Sequence, residues 1–318
     1  MDNATRKVPH HKPPASRSTP EGGSDWHTLR AGQLQILQAR VLAGFPWLVH
    51  GFSTRPGGAS HLDGASVLNL GFTSWDARSN VLANRSKLLA ALEAEQMKLV
   101  ALRQFHSDVI HLFDAAPEQA PRGDAAITCT TGLALGIQTA DCLPILLVDP
   151  ERRAVAAIHA GWRGTLQRIT GKTLGRMQMN LGTHPESVIA VLGPGIGVCC
   201  YEVGPQVAEA YSHQFAAAGE WFEGPFDQLS TGEQPNPLRW LSAAPPGHET
   251  PPPRVRLDLM AANRWQLLDA GVNPSNIISS RLCTACRTDL LFSHRRERGR
   301  TGRMLAVIGL RPEAARDR

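Results

Sequence analysis

Residues 135–164 read LGIQTADCLPILLVDPERRAVAAIHAGWRG, and the fold is decided by this stretch. Two apolar runs, Leu143 to Val148 and Ala154 to Ile158, flank the turn formers Asp149-Pro150-Glu151-Arg152. The pattern is strand, turn, strand. Cys142 stands just before the first run and His159 just after the second, so an antiparallel hairpin sets both at the same edge of a sheet. Such an edge can hold a metal or build a thiol and imidazole pair. Asp141 places a carboxylate beside the thiol, and Gly161-Trp162-Arg163-Gly164 follows the histidine before a helical pattern begins.

The 318 residues around this hairpin suffice to bury a sizeable core, as one large domain or two small ones. The formal charge of +5 is mild and localised, since Arg281 to Arg303 holds seven arginines against Asp289 and Glu297. A patch of that kind meets phosphate or a nucleotide, or is simply a solvated face. Aromatics are not interleaved with it, so no nucleic-acid partner is expected. Six cysteines, including Cys199-Cys200 and Cys283-x-x-Cys286, make no disulfide framework in a chain this long. Met1 to Pro20 lacks the apolar centre of a secretory signal, and no apolar run approaches the length that spans a bilayer. A reducing, cytoplasmic setting is the expectation, with a monomer as the default.

Residues 1–25 are rich in Pro, Ser, Gly and charge and read as a disordered tail; His10 and His11 within it lack the surroundings that fix a metal. Residues 26–312 read as a single domain. Gln33 to Phe52 suggests one or two strands, leading into the glycine-rich turn Ser53 to Ser60, where Arg55 is placed to meet an anion. Apolar spacing predicts a helix between Ser79 and Glu95, with Ser79 as its cap. Strands follow at Leu99 to Phe105, Val109 to Phe113, Asp124 to Thr128 and Leu133 to Ile137. Past the hairpin, Thr165 to Leu181 is one predicted helix and Val188 to Leu192 a strand ending in the glycine-rich turn Gly193 to Gly197. Cys199 and Cys200 read as small packed residues near the site, because neighbouring strand residues face opposite ways. Gly204 to Ala218 and Leu257 to Ala270 read as helices, with a proline-rich insertion at 228–253 between them, and Met304 to Leu310 is an apolar strand. Together these elements suggest a mixed α/β sandwich.

A catalytic zinc takes three protein ligands and keeps one position open, whereas a structural zinc is closed by four. His106, Cys142 and His159 would make an open set, though their separations of 36 and 17 residues match no short motif. Cys283-x-x-Cys286 offers a competing metal site, without a second pair at finger spacing. A metal-free alternative makes Cys142 a nucleophile deprotonated by His159; Asp141 would orient the imidazole, support a metal ligand from outside, or simply cap a strand end.

The chain resembles the YfiH-type family, variously called laccase-domain, polyphenol oxidase, peptidoglycan editing factor and purine nucleoside phosphorylase proteins. The resemblance runs from about Gln33 to Leu310 through FSTRPGGAS, LNLGF, QFHSD, GIQTADCLPILL, AAIHAGWRGT, LGPGIGVCCYEVG, LDLMAANRWQLLDAGV, CTAC and LFSHRRERGRTGRMLAVIGL. It implies an α+β fold, a four-layer α/β/β/α sandwich. It also implies a metal, usually zinc with copper an alternative, on His106, Cys142 and His159. The implied chemistry is phosphorolysis of adenosine, inosine and methylthioadenosine, and deamination of adenosine. Arg55, Arg163 and Arg295 are the candidate phosphate holders, since a planar guanidinium matches phosphate oxygens. Rival readings are a Cys142 hydrolase acting on peptidoglycan precursors and a copper phenol oxidase; the twelve histidines contain no His-x-His pair of the multicopper kind.

Overall fold

The computed structural model describes residues 25–224 and 254–312. The predicted tail, Asp25 apart, and the 228–253 insertion lie outside the described residues.

The hairpin forms as Leu143–Asp149 and Ala154–Ala160, antiparallel, with Pro144 opposite His159 and Leu143 opposite Ala160. Its turn is closed by Asp149, whose Oδ1 accepts the N–H groups of Glu151 and Arg152 at 3.0 Å each. Every residue of both strands is buried, so they read as continuous apolar runs because both faces of the sheet are covered. They form the centre of a six-stranded sheet ordered Ile277–Ser279, Ile189–Leu192, Leu143–Asp149, Ala154–Ala160, Ala125–Thr128, Ile110–Leu112. A second six-stranded sheet runs Trp26–Ala31, Leu34–Ala39, Leu48–Ser53, Met304–Leu310, Leu133–Thr139, Lys98–Ala101. Both sheets are mixed, each with an outer strand paired in parallel.

The period of two along each strand then sorts side chains into layers. Leu146, Val148, Val155 and Ala157 of the hairpin sheet meet Leu135, Ile137, Ala306 and Ile308 of the other sheet in a shared core. The alternate residues Leu143, Ile145, Leu147, Ala156 and Ile158 face outward and are covered by Ile169–Leu181 and Leu259–Asp269. On the far side Arg78–Ala91 lays Leu88 against Ile36, Val49, Leu305 and Val307. The order helix, sheet, sheet, helix is the four-layer sandwich. Truncating a wholly buried residue such as Ile145 to Ala would cost roughly 2–5 kcal/mol. A smaller unit, Glu202–Val203, Pro205–Gln214, Phe222–Glu223 and Val255–Leu257, packs its own cluster around Tyr211, Phe215 and Trp221.

Several local expectations are corrected. Ser79 does not cap the first long helix, which begins at Arg78 after Ala77 and has no side-chain cap. The single helix expected over 165–181 is two, Trp162–Leu166 and Ile169–Leu181. The break comes where Gln266 donates to the Thr165 carbonyl at 2.8 Å and Arg168 takes the left-handed φ of 61°. The helix expected over 257–270 starts only at Leu259, because Asp258 accepts the N–H of Ala261 at 2.9 Å and caps it.

Candidate active site

By parity, Cys142 and His159 lie on the face of the hairpin that looks between the sheets, at the edge where the sheets part. His106 arrives from the loop after Lys98–Ala101, held in the left-handed region at φ 63°. The ligand atoms of His106, Cys142 and His159 lie within 4.8 Å of one another. The two imidazoles meet edge to face with centroids 5.0 Å apart. Gly161 keeps the cluster open: a Cβ there would stand 2.9 Å from Cys142 Sγ and 3.1 Å from the His106 ring.

Asp124 is the organising carboxylate, and the sequence reading missed it. Its Oδ1 accepts from His159 Nδ1 at 2.8 Å and from the His106 backbone N–H at 3.0 Å. Its Oδ2 accepts from the Ser107 N–H at 2.8 Å and hydroxyl at 2.7 Å. One wholly buried side chain thus fixes both histidines. With Nδ1 committed, His159 has its other ring nitrogen free for the cluster. Burial alone would raise the Asp124 pKa, but the hydrogen bonds from His159 and Ser107 outweigh it and hold the carboxyl well below its usual range. Burial likewise pushes the Cys142 thiol up, yet the charge of His159 and hydrogen bonds from both histidines bring it down to about 6. Burial pulls His159 down, while Cys142 and Asp124 lift it to about 9. The thiol and the two rings make a donor set that suits zinc or copper once an ion displaces the His159 proton and, being three, leaves a position open.

Asp141 does not orient His159. Its Oδ1 accepts from the hydroxyls of Thr284 at 2.6 Å and Ser293 at 2.7 Å, and its Oδ2 accepts the Arg295 N–H at 2.7 Å. With φ at 99°, a conformation costing about 1–3 kcal/mol for a non-glycine residue, the carboxylate serves the C-terminal loops instead.

A cavity of about 590 Å³ opens over the cluster. Of the three arginines expected there, only Arg295 lines it; its guanidinium lies 5.4 Å from the Tyr201 ring and donates to the Glu202 carbonyl. Arg55 is instead paired with Glu297 at 2.6 Å, and Arg163 is exposed over the Trp162 ring. Arg85 and Arg303 line the cavity unforeseen, and burial lowers the pKa of each. Tyr201 lines it too, its phenol pushed up by burial and then by Cys142. A second cluster also gathers: Cys199 and Cys200, read as merely packed, meet Cys283 and Cys286, with all four sulfurs within 4.8 Å. Among the described residues no helix is long and apolar enough to cross a membrane.

A four-layer sandwich with a thiolate and two imidazoles on a cavity floor defines a class with the donors for one open-sided metal. The sequence description "Multi-copper polyphenol oxidoreductase laccase" matches residues 49–311, and the chain belongs to this YfiH/laccase-like family. The purine nucleoside phosphorylase of Deinococcus radiodurans is 39% identical over 290 residues, covering 89% of this chain and 95% of the relative. Purine nucleoside phosphorylase YlmD of Geobacillus stearothermophilus is 36% identical over 278 residues, 85% of this chain and 92% of the relative. The YlmD crystal structure superposes with a TM-score of 0.73 at 32% identity, over 91% of this chain and all of that one. Adenosine deaminase RL5, from an unknown prokaryotic organism, is 34% identical over 269 residues, 82% of this chain and 93% of the relative.

Proposed function

We propose that the chain is a zinc-dependent purine nucleoside enzyme, splitting adenosine, inosine and methylthioadenosine with phosphate and deaminating adenosine. The observation that carries this reading is the His106, Cys142 and His159 set on the floor of a nucleoside-sized cavity. The names of the similar proteins supply the substrate class.

His106, Cys142 and His159 would hold the ion, which supplies Lewis acidity where negative charge develops during the reaction. The chain does the rest. Asp124 keeps the His159 ring aimed and pins the His106 backbone, so that part of the ligand set is preorganised rather than assembled on binding. Arg295, Arg85 and Arg303 line the cavity and are the guanidiniums placed to hold phosphate behind the ribose C1′. Arg55 and Arg163 drop out of that role. In phosphorolysis a phosphate oxygen bonds to C1′ as the C1′–N bond breaks, and its electron pair leaves on the purine. Tyr201, protonated at neutral pH, offers the cavity a hydrogen-bond donor for base or sugar. The phosphate-free branch replaces the amino group at purine C6 by oxygen from water and releases ammonia.

The test is direct. Metal-loaded protein receives adenosine with and without phosphate, and ribose 1-phosphate, adenine, inosine and ammonia are followed. Phosphate-dependent adenine and ribose 1-phosphate are expected, with inosine and ammonia when phosphate is absent. The depressed pKa of Cys142 favours one second reading, a thiol hydrolase of peptidoglycan precursors. It takes over if no purine nucleoside turns over, a muropeptide precursor is cleaved, and chelation leaves that cleavage intact.

A further inference from the structure

Among the described residues outside the cavity floor, a second group of ligating side chains gathers on two surface turns as a sulfur cluster. Cys199 and Cys200 lie on a tight turn in which the Gly197 carbonyl accepts the N–H groups of both Cys200 and Tyr201. That is helical rather than extended backbone. Successive side chains then diverge by about 100° instead of pointing to opposite faces, so two adjacent cysteines can reach one point. Cys283 and Cys286 sit on a second turn, where the Arg287 N–H donates to the Cys283 carbonyl. The two turns are laced together: the Gly195 N–H donates to the Leu282 carbonyl at 3.3 Å and the Thr284 N–H to the Gly195 carbonyl at 3.0 Å.

The sulfurs have the spacing of a single tetrahedral ion. Cys286 Sγ is 3.6 Å from Cys199 Sγ and 3.4 Å from Cys200 Sγ. Zinc bonded to four thiolates at about 2.3 Å places sulfurs about 3.8 Å apart. A disulfide is far shorter, at about 2.05 Å, and Cys286 could join only one of its two neighbours. The Gly197 N–H donates to Cys283 Sγ at 3.2 Å, the outer support a metal-bound thiolate uses. Cys283 and Cys286 belong to the Arg281 to Arg303 segment, whose excess positive charge offsets the double negative charge of a zinc tetrathiolate.

We infer that Cys199, Cys200, Cys283 and Cys286 bind a second, structural zinc ion in a closed four-sulfur site, separate from His106, Cys142 and His159. Four protein ligands leave no position for substrate. The role follows from what the two turns carry. Ile196 donates its N–H to the Asp141 carbonyl at 2.7 Å, and Thr284 its hydroxyl to the Asp141 carboxylate. Tyr201, next after Cys200, lines the cavity. The ion therefore staples together the two turns that brace the wall of the cavity. This inference stands on the sulfur geometry and does not require the purine reading.

The decisive experiment is thiol titration of the full-length, zinc-loaded protein with a disulfide reagent, beside zinc counting by mass spectrometry. With both sites filled, only exposed Cys129 should react at once, and chelation should release the other five thiols. Cys142→Ala should lose one zinc and keep Cys199, Cys200, Cys283 and Cys286 protected. A Cys199→Ser, Cys286→Ser double variant should lose the other. Cobalt substituted into Cys142→Ala should give the intense sulfur-to-metal charge-transfer bands of a tetrathiolate. The inference is overturned if Cys199, Cys200 and Cys286 react immediately in zinc-loaded wild type. It is equally overturned if non-reducing peptide mapping finds Cys286 cross-linked to either neighbour. Because both readouts use wild-type protein, a variant that does not fold leaves the outcome decidable.

Discussion

The two clusters of ligating side chains differ in almost every respect that matters to chemistry. On the cavity floor, two imidazoles and one thiol converge from a hairpin edge and a loop, with buried Asp124 holding the His159 ring and the His106 backbone. On the surface turns, four sulfurs converge from two short segments, held mainly by backbone hydrogen bonds. The first is rigid before any ion arrives and is one ligand short of closure. The second is complete in ligands but sits where the backbone needs a staple. Preorganisation with a free position belongs to catalysis, and closure belongs to architecture.

The largest expected effect comes from removing the floor alone. Cys142→Ala or His106→Ala should lower purine turnover by on the order of 10³-fold, the loss of several kcal/mol of electrostatic stabilisation, while the sulfur-bound zinc persists. Retention of turnover in either variant, measured as ribose 1-phosphate formed, would erase the distinction between the clusters.

Acid also acts on the scaffold, away from both clusters. His50 is buried in the second sheet, on Leu48–Ser53, where its Nε2 accepts the Ala39 N–H at 3.1 Å. Burial and then the nearby His27 lower its pKa from 6.5 to about 4. The unfolded chain therefore takes up a proton first, and stability present above pH 6.5 is lost as pH falls toward about 4. The loss amounts to about 3 kcal/mol. Urea unfolding at pH 7 and pH 4.5 should show it, and His50→Gln should flatten that limb.

A smaller change tests orientation. Asp124→Asn keeps the shape but not the charge, and should cost about 10–100-fold in metal affinity at the floor site. Competition with a chelator of known affinity reads this directly, and the tetrathiolate should hold its ion as before. Smallest of all is Tyr211→Phe, which deletes the hydrogen bond from the Tyr211 hydroxyl to the Trp162 carbonyl at 2.8 Å. A loss of about 1 kcal/mol in unfolding free energy is expected, with zinc content unchanged.

The central hairpin was legible because uninterrupted apolar runs around Asp-Pro-Glu-Arg admit few alternatives, and its parity carries Cys142 and His159 to one edge. His106 was legible only through the family motif, since nothing in its local spacing points toward residues 36 and 53 positions on. Asp124 escaped because a carboxylate opening a strand resembles an ordinary cap; its meaning lies in pairing Ala125–Thr128 beside the strand that ends near His159. Asp141 drew attention by adjacency to Cys142, but a left-handed φ sends its carboxylate to Thr284 and Ser293. Arg55 looked like an anion holder until Glu297, 242 residues away, took its guanidinium. Cys199-Cys200 and Cys283-x-x-Cys286 stand too far apart in the chain for any finger spacing, and only the tight turn at Gly197 makes the adjacent pair useful.

The closed turn at Asp149 confines where this chain can vary in length. Adding or deleting a single residue within Leu143–Asp149 or Ala154–Ala160 would swap the side chains on one side of the change between the helices and the inter-sheet core, and where that side is the reactive edge it would carry Cys142 or His159 away from its partners. Only the Pro150–Arg153 tip lies beyond that constraint. Loop insertions, affinity tags or fused modules grafted at this tip should therefore leave the reactive edge undisturbed, at the opposite end of the strands.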